Sequence, residues 1–156
     1  MVESIAIMEY LMARHGPTPL APDPRDAAFP AYQQFLHLGE AGLAGSMYFV
    51  SGARNIAPEG ERDNWSARQA MEVFTTRLSL VTRRLEQAPY LAGGSFTAAD
   101  ISVGYALEMA RKNVGFEFGD VERAYMARLR ERDGYRRALE ACHATRGWWM
   151  SSPADR

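Results

Sequence analysis

Residues 89–105, PYLAGGSFTAADISVGY, constrain the fold more than any other part of the chain. Pro89 cannot sit inside a helix, so it closes the helical run before it. Tyr90 and Leu91 tuck under that helix end. Gly93 and Gly94 accept positive φ and turn the chain. Thr97 is then a candidate N-cap with Asp100 three residues on, the spacing of a capping box in which each satisfies the other's free N–H. Phe96 before the cap and Ile101 at the fourth helical position have the spacing of a hydrophobic staple. After Asp100, the residues Ile101, Val103, Tyr105, Ala106, Leu107, Met109 and Ala110 surround the axis. A helix apolar on most sides is a buried one, so this stretch predicts the start of a central helix.

The rest of the chain reads as helices around it. Residues 4–14 form a short helix with Ile5, Met8 and Leu11 on one side and Ser4 at its N-cap. Residues 15–30 hold five prolines and a glycine and read as a linker. Residues 31–50 form a helical region with an irregular apolar face. Gly39, Gly42 and Gly45 inside it each weaken a helix by roughly 1 kcal/mol relative to Ala, which implies either close approach by another helix or ligand, or a kink. His37 and Glu40, spaced i, i+3, can pair on one face. Residues 51–63 read as a loop. In residues 65–88, Ala67, Met71, Phe74, Leu78, Val81 and Leu85 step by 4, 3, 4, 3, 4 as an apolar seam, with Arg77, Arg83, Arg84 and Glu86 on a solvated face. A turn-rich connection at 112–120 is anchored by Phe116 and Phe118. Helices follow at 120–132, with Val121, Ala124, Tyr125 and Leu129 inward, and at 135–145, with Tyr135, Ala138, Leu139 and Cys142 inward. Trp148, Trp149 and Met150 close the chain and either pack on the bundle or cover a pocket. The fold class is all-α, a bundle of five to six helices.

Three motifs carry a family resemblance. YLAGGSFTAADISV resembles the segment that opens the central helix of the glutathione transferase C-terminal domain. Glu3-Ser4-Ile5-Ala6-Ile7 with Tyr10-Leu11 resembles the family's E-S-x-A-I-x-x-Y-L motif, which closes its thioredoxin-like domain. YMARLRERDGYRRAL at 125–139 is similar to the family's R-P-A-Y-x-x-A-L ending, with Asp133-Gly134 in place of Pro-Ala. The resemblance implies that 1–14 is the last helix of a thioredoxin-like domain, 15–30 the linker, and 31–156 the helical C-terminal domain. It implies conjugation of glutathione, as substrate and not cofactor, to a hydrophobic electrophile. It also implies glutathione contacts from Glu3 and Ser4, where Ser4 is either a plain cap or the ligand of the γ-glutamyl carboxylate, and from Glu40, as the acidic residue near the glutathione of the partner subunit. Phe35, Leu38, Tyr48 and Phe49 are electrophile-pocket candidates, against the alternative that they are core.

In a complete family member the catalytic Tyr, Ser or Cys precedes the E-S motif. The chain is therefore expected to be a truncated transferase, inactive alone and without a catalytic residue of its own. Whether it is an enzyme stays open, the alternative being a non-catalytic helical binding or assembly module. The apolar interdomain surface predicts a dimer or higher homo-oligomer, or a chain whose N-terminal helix covers its own bundle. A net charge of -1 argues against nucleic acid and anionic membranes as partners. No apolar run reaches membrane-spanning length and no signal peptide opens the chain, so a cytoplasmic location is expected. The single cysteine excludes an internal disulfide, and Cys142 reads as a buried structural thiol. Three separated histidines predict no metal site, and neither G-x-S-x-G nor H-E-x-x-H is present.

Overall fold

The computed structural model describes residues 1–144, so the closing Trp148, Trp149 and Met150 lie outside the described residues. Helices account for all regular structure among those residues, beyond one isolated bridge between Tyr90 and Gly93. In chain order they are α1 (Ser4–His15), α2 (Phe29–His37), α3 (Gly45–Asn55), α4 (Trp65–Leu85), α5 (Ala98–Met109), α6 (Asp120–Arg130) and α7 (Asp133–Ala144). A wide π-helical turn, Leu38–Ala44, joins α2 to α3 without a break, and a second one, Ala110–Val114, follows α5. The first helical region is therefore one bent rod that runs five residues past its predicted end, into the expected loop. Asn64 starts α4 by accepting the Ala67 N–H at 2.9 Å.

The predicted central helix is central. α5 packs against α2 and the π turn on one side and against α6 on another. The seam of α4 is turned inward, with Phe74 and Val81 closed to solvent. Phe116 and Phe118 anchor the connection after α5 as expected, with ring centroids 4.9 Å apart and Phe116 edge-on to Phe74 at 5.0 Å. In α6 the inward face is Glu122, Tyr125, Met126 and Leu129, while Ala124 is exposed. Buried Glu122 accepts the Thr82 hydroxyl and so joins α6 to α4.

The start of α5 is the most heavily bonded point of the fold. Asp100 is fully buried. Its Oδ2 accepts the Thr97 N–H at 2.8 Å and the Thr97 hydroxyl at 3.2 Å, and the capping box forms. Its Oδ1 accepts the Leu91 N–H at 3.0 Å and the Tyr125 hydroxyl at 2.9 Å. One carboxylate thus ties together the turn before α5, the first turn of α5 and the middle of α6. The linker joins in, because the Leu20 carbonyl accepts the Ala98 N–H at 2.9 Å. Gly93 makes the turn at φ +142°, where a side chain would be strained, and exchanges two hydrogen bonds with Tyr90. The staple is not closed. Ile101 is 42% exposed, and the Phe96 ring is covered by the Arg132 guanidinium at 3.5 Å from its centroid.

Of the three glycines in the first rod, Gly39 makes a close approach. A Cβ there would stand 2.5 Å from the Ser102 carbonyl carbon and 2.7 Å from the Val103 nitrogen, so the π turn and α5 touch backbone to backbone. Gly39→Ala is expected to destabilise by about 1–3 kcal/mol, the usual range for overpacking, and toward its upper end because the wall is backbone. Gly52→Ala, in α3 with open space around it, is expected to stabilise by about 0.5–1 kcal/mol through helix propensity. Urea melts of the two variants check the pair.

Burial raises the Asp100 carboxyl above its ordinary value, against the pull of its four hydrogen bonds. The folded state therefore holds this proton more tightly than the unfolded chain does. The stability this contributes is complete below the unfolded pKa and is lost as pH rises through the raised folded one. Asp100→Asn turns an amide NH2 toward hydrogen-bond donors and is expected to cost about 2–4 kcal/mol. Because the variant lacks the titration, the gap between it and the parent should narrow as pH rises from about 4 toward neutrality. Paired denaturation curves across that range check both the size and the sign.

Candidate functional site

α1 enters its helix from a strained residue. Glu3 has φ +74°, a region that residues with a Cβ rarely adopt, and its carbonyl accepts the Ile7 N–H at 3.0 Å. Glu3 occupies the cap position without a capping side chain, so Ser4 is the first helical residue and not the N-cap. This frees the Ser4 hydroxyl, which donates to Glu40 Oε2 at 3.1 Å. The first turn of α1 carries no acidic side chain and no side chain caps it, so its N–H groups and the positive end of its dipole face the Glu40 carboxylate bonded to Ser4.

Glu40 comes to this corner from the π turn. In that turn the Gly45 N–H bonds the Glu40 carbonyl five residues back, which widens the helix and re-aims its side chains. Glu40 therefore meets Ser4, and the predicted His37–Glu40 pairing does not form. His37 Nε2 lies 3.7 Å from Glu9 Oε1 instead and ties α2 to α1.

Two phenols join Glu40 on this face. Tyr105 stands on α5, 53% exposed, and its hydroxyl is 3.5 Å from that of Tyr48 on α3. The hydrogen bond with Tyr48 and then burial, with a smaller push from Glu40, raise the Tyr105 phenol to about 12. The Tyr105 hydroxyl therefore stays protonated at neutral pH. The sequence places Tyr105 inside the bundle. Its signal was the hydroxyl itself, since a tyrosine on a core face needs a partner or water.

The four pocket candidates separate. Phe35 is a core side chain, 5% exposed. Leu38 is half-buried with its side chain against Gly42. Tyr48 and Phe49 are exposed and line a shallow cleft of about 400 Å³ with Ile56 and Ala67. The structure thus brings Ser4 to Glu40 and Tyr48 to Tyr105, and leaves Phe35 behind them in the core.

A larger cavity of about 620 Å³ opens on the other side of Tyr105, between α5, α6 and α7. Ile101 and Tyr105 form one wall and Tyr135, Leu139 and Cys142 the other. Cys142, expected to be buried, is exposed here, and Ala138 and Leu139 are exposed beside it. α7 meets the bundle chiefly at α6, so among the described residues the inward stripe predicted for it stays largely exposed. Glu108 at the cavity edge accepts from Arg130 at 2.7 Å, Arg111 at 3.0 Å and the Tyr135 hydroxyl at 3.3 Å. Burial works to raise its carboxyl, but the Arg130 and Arg111 bonds outweigh burial and hold it below its ordinary value. No group of three metal-type ligands exists among the described residues, and no helix among them is long and apolar enough to cross a membrane.

The arrangement at Ser4 and Glu40 suits a zwitterion. A carboxylate fits the α1 N-terminus and an ammonium fits the Glu40 carboxylate, with two phenol donors alongside.

No protein-family model and no curated protein matches the sequence. Solved structures do match. BphK, a bacterial GST solved as a ternary complex, is 27% identical with a TM-score of 0.74, covering 90% of this chain and 68% of its own. A theta class glutathione S-transferase from the citrus canker pathogen Xanthomonas axonopodis pv. citri, solved with glutathione bound, is 29% identical with a TM-score of 0.73, over 88% of this chain and 72% of its own. Ure2p5 from Phanerochaete chrysosporium, cocrystallized with 1-(S-glutathionyl)-2,4-dinitrobenzene, shares the fold at 20% identity, with a TM-score of 0.75 over 97% of this chain and 72% of its own. The chain is all-helical among its described residues, shares the fold of the matched part of these proteins and resembles the glutathione transferases.

Replacing Tyr48 by Phe removes the largest influence on Tyr105. Its phenol is expected to titrate below about 12, nearer the ordinary tyrosine value. Carbon NMR of ring-labelled tyrosine in the parent and the variant checks the shift.

Proposed function

We propose that this chain is the helical part of a glutathione transferase and that it holds the γ-glutamyl end of glutathione where Ser4 meets Glu40. The 3.1 Å bond between those two side chains carries the reading. The γ-glutamyl group bears one carboxylate and one ammonium on the same carbon. Its carboxylate goes to the N–H groups of α1 and takes over the Ser4 hydroxyl from Glu40, and its ammonium then pairs with the released Glu40 carboxylate, with Glu3 beside it. The glutathione bound to the Xanthomonas axonopodis pv. citri enzyme supports the ligand class. The hydrophobic electrophile then lies along Leu38, Tyr48 and Phe49, with Tyr105 donating from the facing helix and Phe35 as packing beneath.

Conjugation needs the glutathione thiol as thiolate, which the family stabilises with a hydrogen bond that lowers its pKa. On this reading residues 1–14 are the last helix of a thioredoxin-like half, 15–30 the linker and 31–156 the helical half. The thiol-activating residue comes from the thioredoxin-like half, and the 156 residues alone do not conjugate. Exposed Phe49, Ile56 and Trp65 support self-association of the chain.

Calorimetric titration with glutathione, on the parent and on Ser4→Ala, tests the proposal. Saturable binding weakened about tenfold or more in the variant is expected, from loss of a hydrogen bond to a charged group. Light scattering on the same sample should find more than one chain per particle. No heat up to millimolar glutathione would overturn the glutathione site and turn the reading to a non-catalytic binding module.

A further inference from the structure

Arg77 lies off the apolar seam of α4, where the sequence predicts a solvated charge. Its side chain turns to the π turn instead. Nη1 donates to the Gly42 carbonyl at 3.1 Å and to the Ala41 carbonyl at 3.4 Å. Gly42 admits it, since a Cβ there would stand 3.2 Å from Arg77 Cδ. The Ser46 hydroxyl donates to the same Gly42 carbonyl at 3.1 Å. On another side of the turn, Gly39 is pressed against the backbone of α5 at Ser102. Glu40 sits between these two contacts, with its carboxylate on Ser4.

A π turn is a register defect in an α-helix, and it persists only where something outside the helix holds it. Resetting the turn to α-helix shifts the register by one residue and rotates the side chains on one side of it by about 100°. Glu40 would then leave the α1 N-terminus. We propose that Arg77 is a positioning residue, whose two hydrogen bonds hold the π turn in the form that aims Glu40 at Ser4. The effect on ligand binding rests on the proposed glutathione corner; the effect on the turn does not.

Two variants test this. Arg77→Met keeps the aliphatic stem and removes the donors, and Arg77→Lys keeps a charge and one donor group. Amide hydrogen exchange by mass spectrometry reads residues 38–45 directly. In Arg77→Met those amides are expected to exchange about tenfold faster, while residues 120–130 keep the parent's rates. Arg77→Lys should fall between. Glutathione affinity is expected to drop about tenfold in Arg77→Met, and the double variant with Ser4→Ala should bind no more weakly than the weaker single one, the mark of groups acting through one another. Unchanged exchange at 38–45, or two independent losses of affinity that multiply, would overturn the inference. If the parent binds no glutathione, the ligand reading fails separately. The positioning role is then decided by exchange and by the unfolding cycle of Ser4→Ala with and without Arg77. A Ser4→Ala cost that vanishes in Arg77→Met supports it, and one that persists unchanged overturns it.

Discussion

Asp100 accepts four hydrogen bonds while closed to water, and the geometry of the whole bundle runs through it. A buried carboxylate is costly unless its acceptor sites are filled, so the donors must arrive together. Two of them come from Thr97 at the helix start, one from Leu91 in the turn before it and one from Tyr125 on α6. Satisfying the carboxylate therefore sets where α5 begins, how the chain enters it and how α6 lies across it. The linker adds the Leu20 carbonyl at the same point, which places α1 and α2 relative to that helix start.

From that fixed helix the first rod takes its shape. Gly39 lets the rod touch α5 at backbone distance, and the π turn opens there. Arg77 reaches over from α4 to the carbonyls of the turn. A wide turn held between two neighbours delivers a carboxylate to the start of another helix, where Ser4 and the free N–H groups of α1 wait. Structure and candidate chemistry thus share the same atoms. The close contact that stabilises the rod is also what puts Glu40 in place.

The open side of α5 tells a different story from its buried sides. Tyr105 faces outward between the Glu40 corner and the cavity under α7, and its hydroxyl meets Tyr48. α7 rests on α6 and on the Tyr135–Glu108 bond, so Leu139 and Cys142 look into the cavity and do not enter a core. The apolar character of these residues is real, but the described part of the chain brings no further helix to cover them. That exposed apolar surface and the neighbouring polar corner are what the transferase reading draws on.

The order of helices, the capping box of Thr97 and Asp100, the inward seam of α4, the anchoring of Phe116 and Phe118 and the resemblance to glutathione transferases were all legible in one dimension. These signals are local: a cap needs residues three apart, and a seam needs a period. Packing in three dimensions was needed to bring Ser4 to Glu40 and Arg77 to a distant turn, to put Phe35 in the core and Tyr105 outside it, and to leave Cys142 exposed. Each depends on what a second element brings to a given face. Periodicity reports that a face is apolar, and a glycine reports that space is needed, but neither says what will arrive there. Two arginines on α4 make the point. Arg77 and Arg84 both lie off the seam and read as solvated, yet Arg77 bonds the π turn and Arg84 donates to the Leu91 carbonyl at 2.9 Å. A guanidinium long enough to cross to a neighbouring backbone looks no different, in one dimension, from one that stays in water.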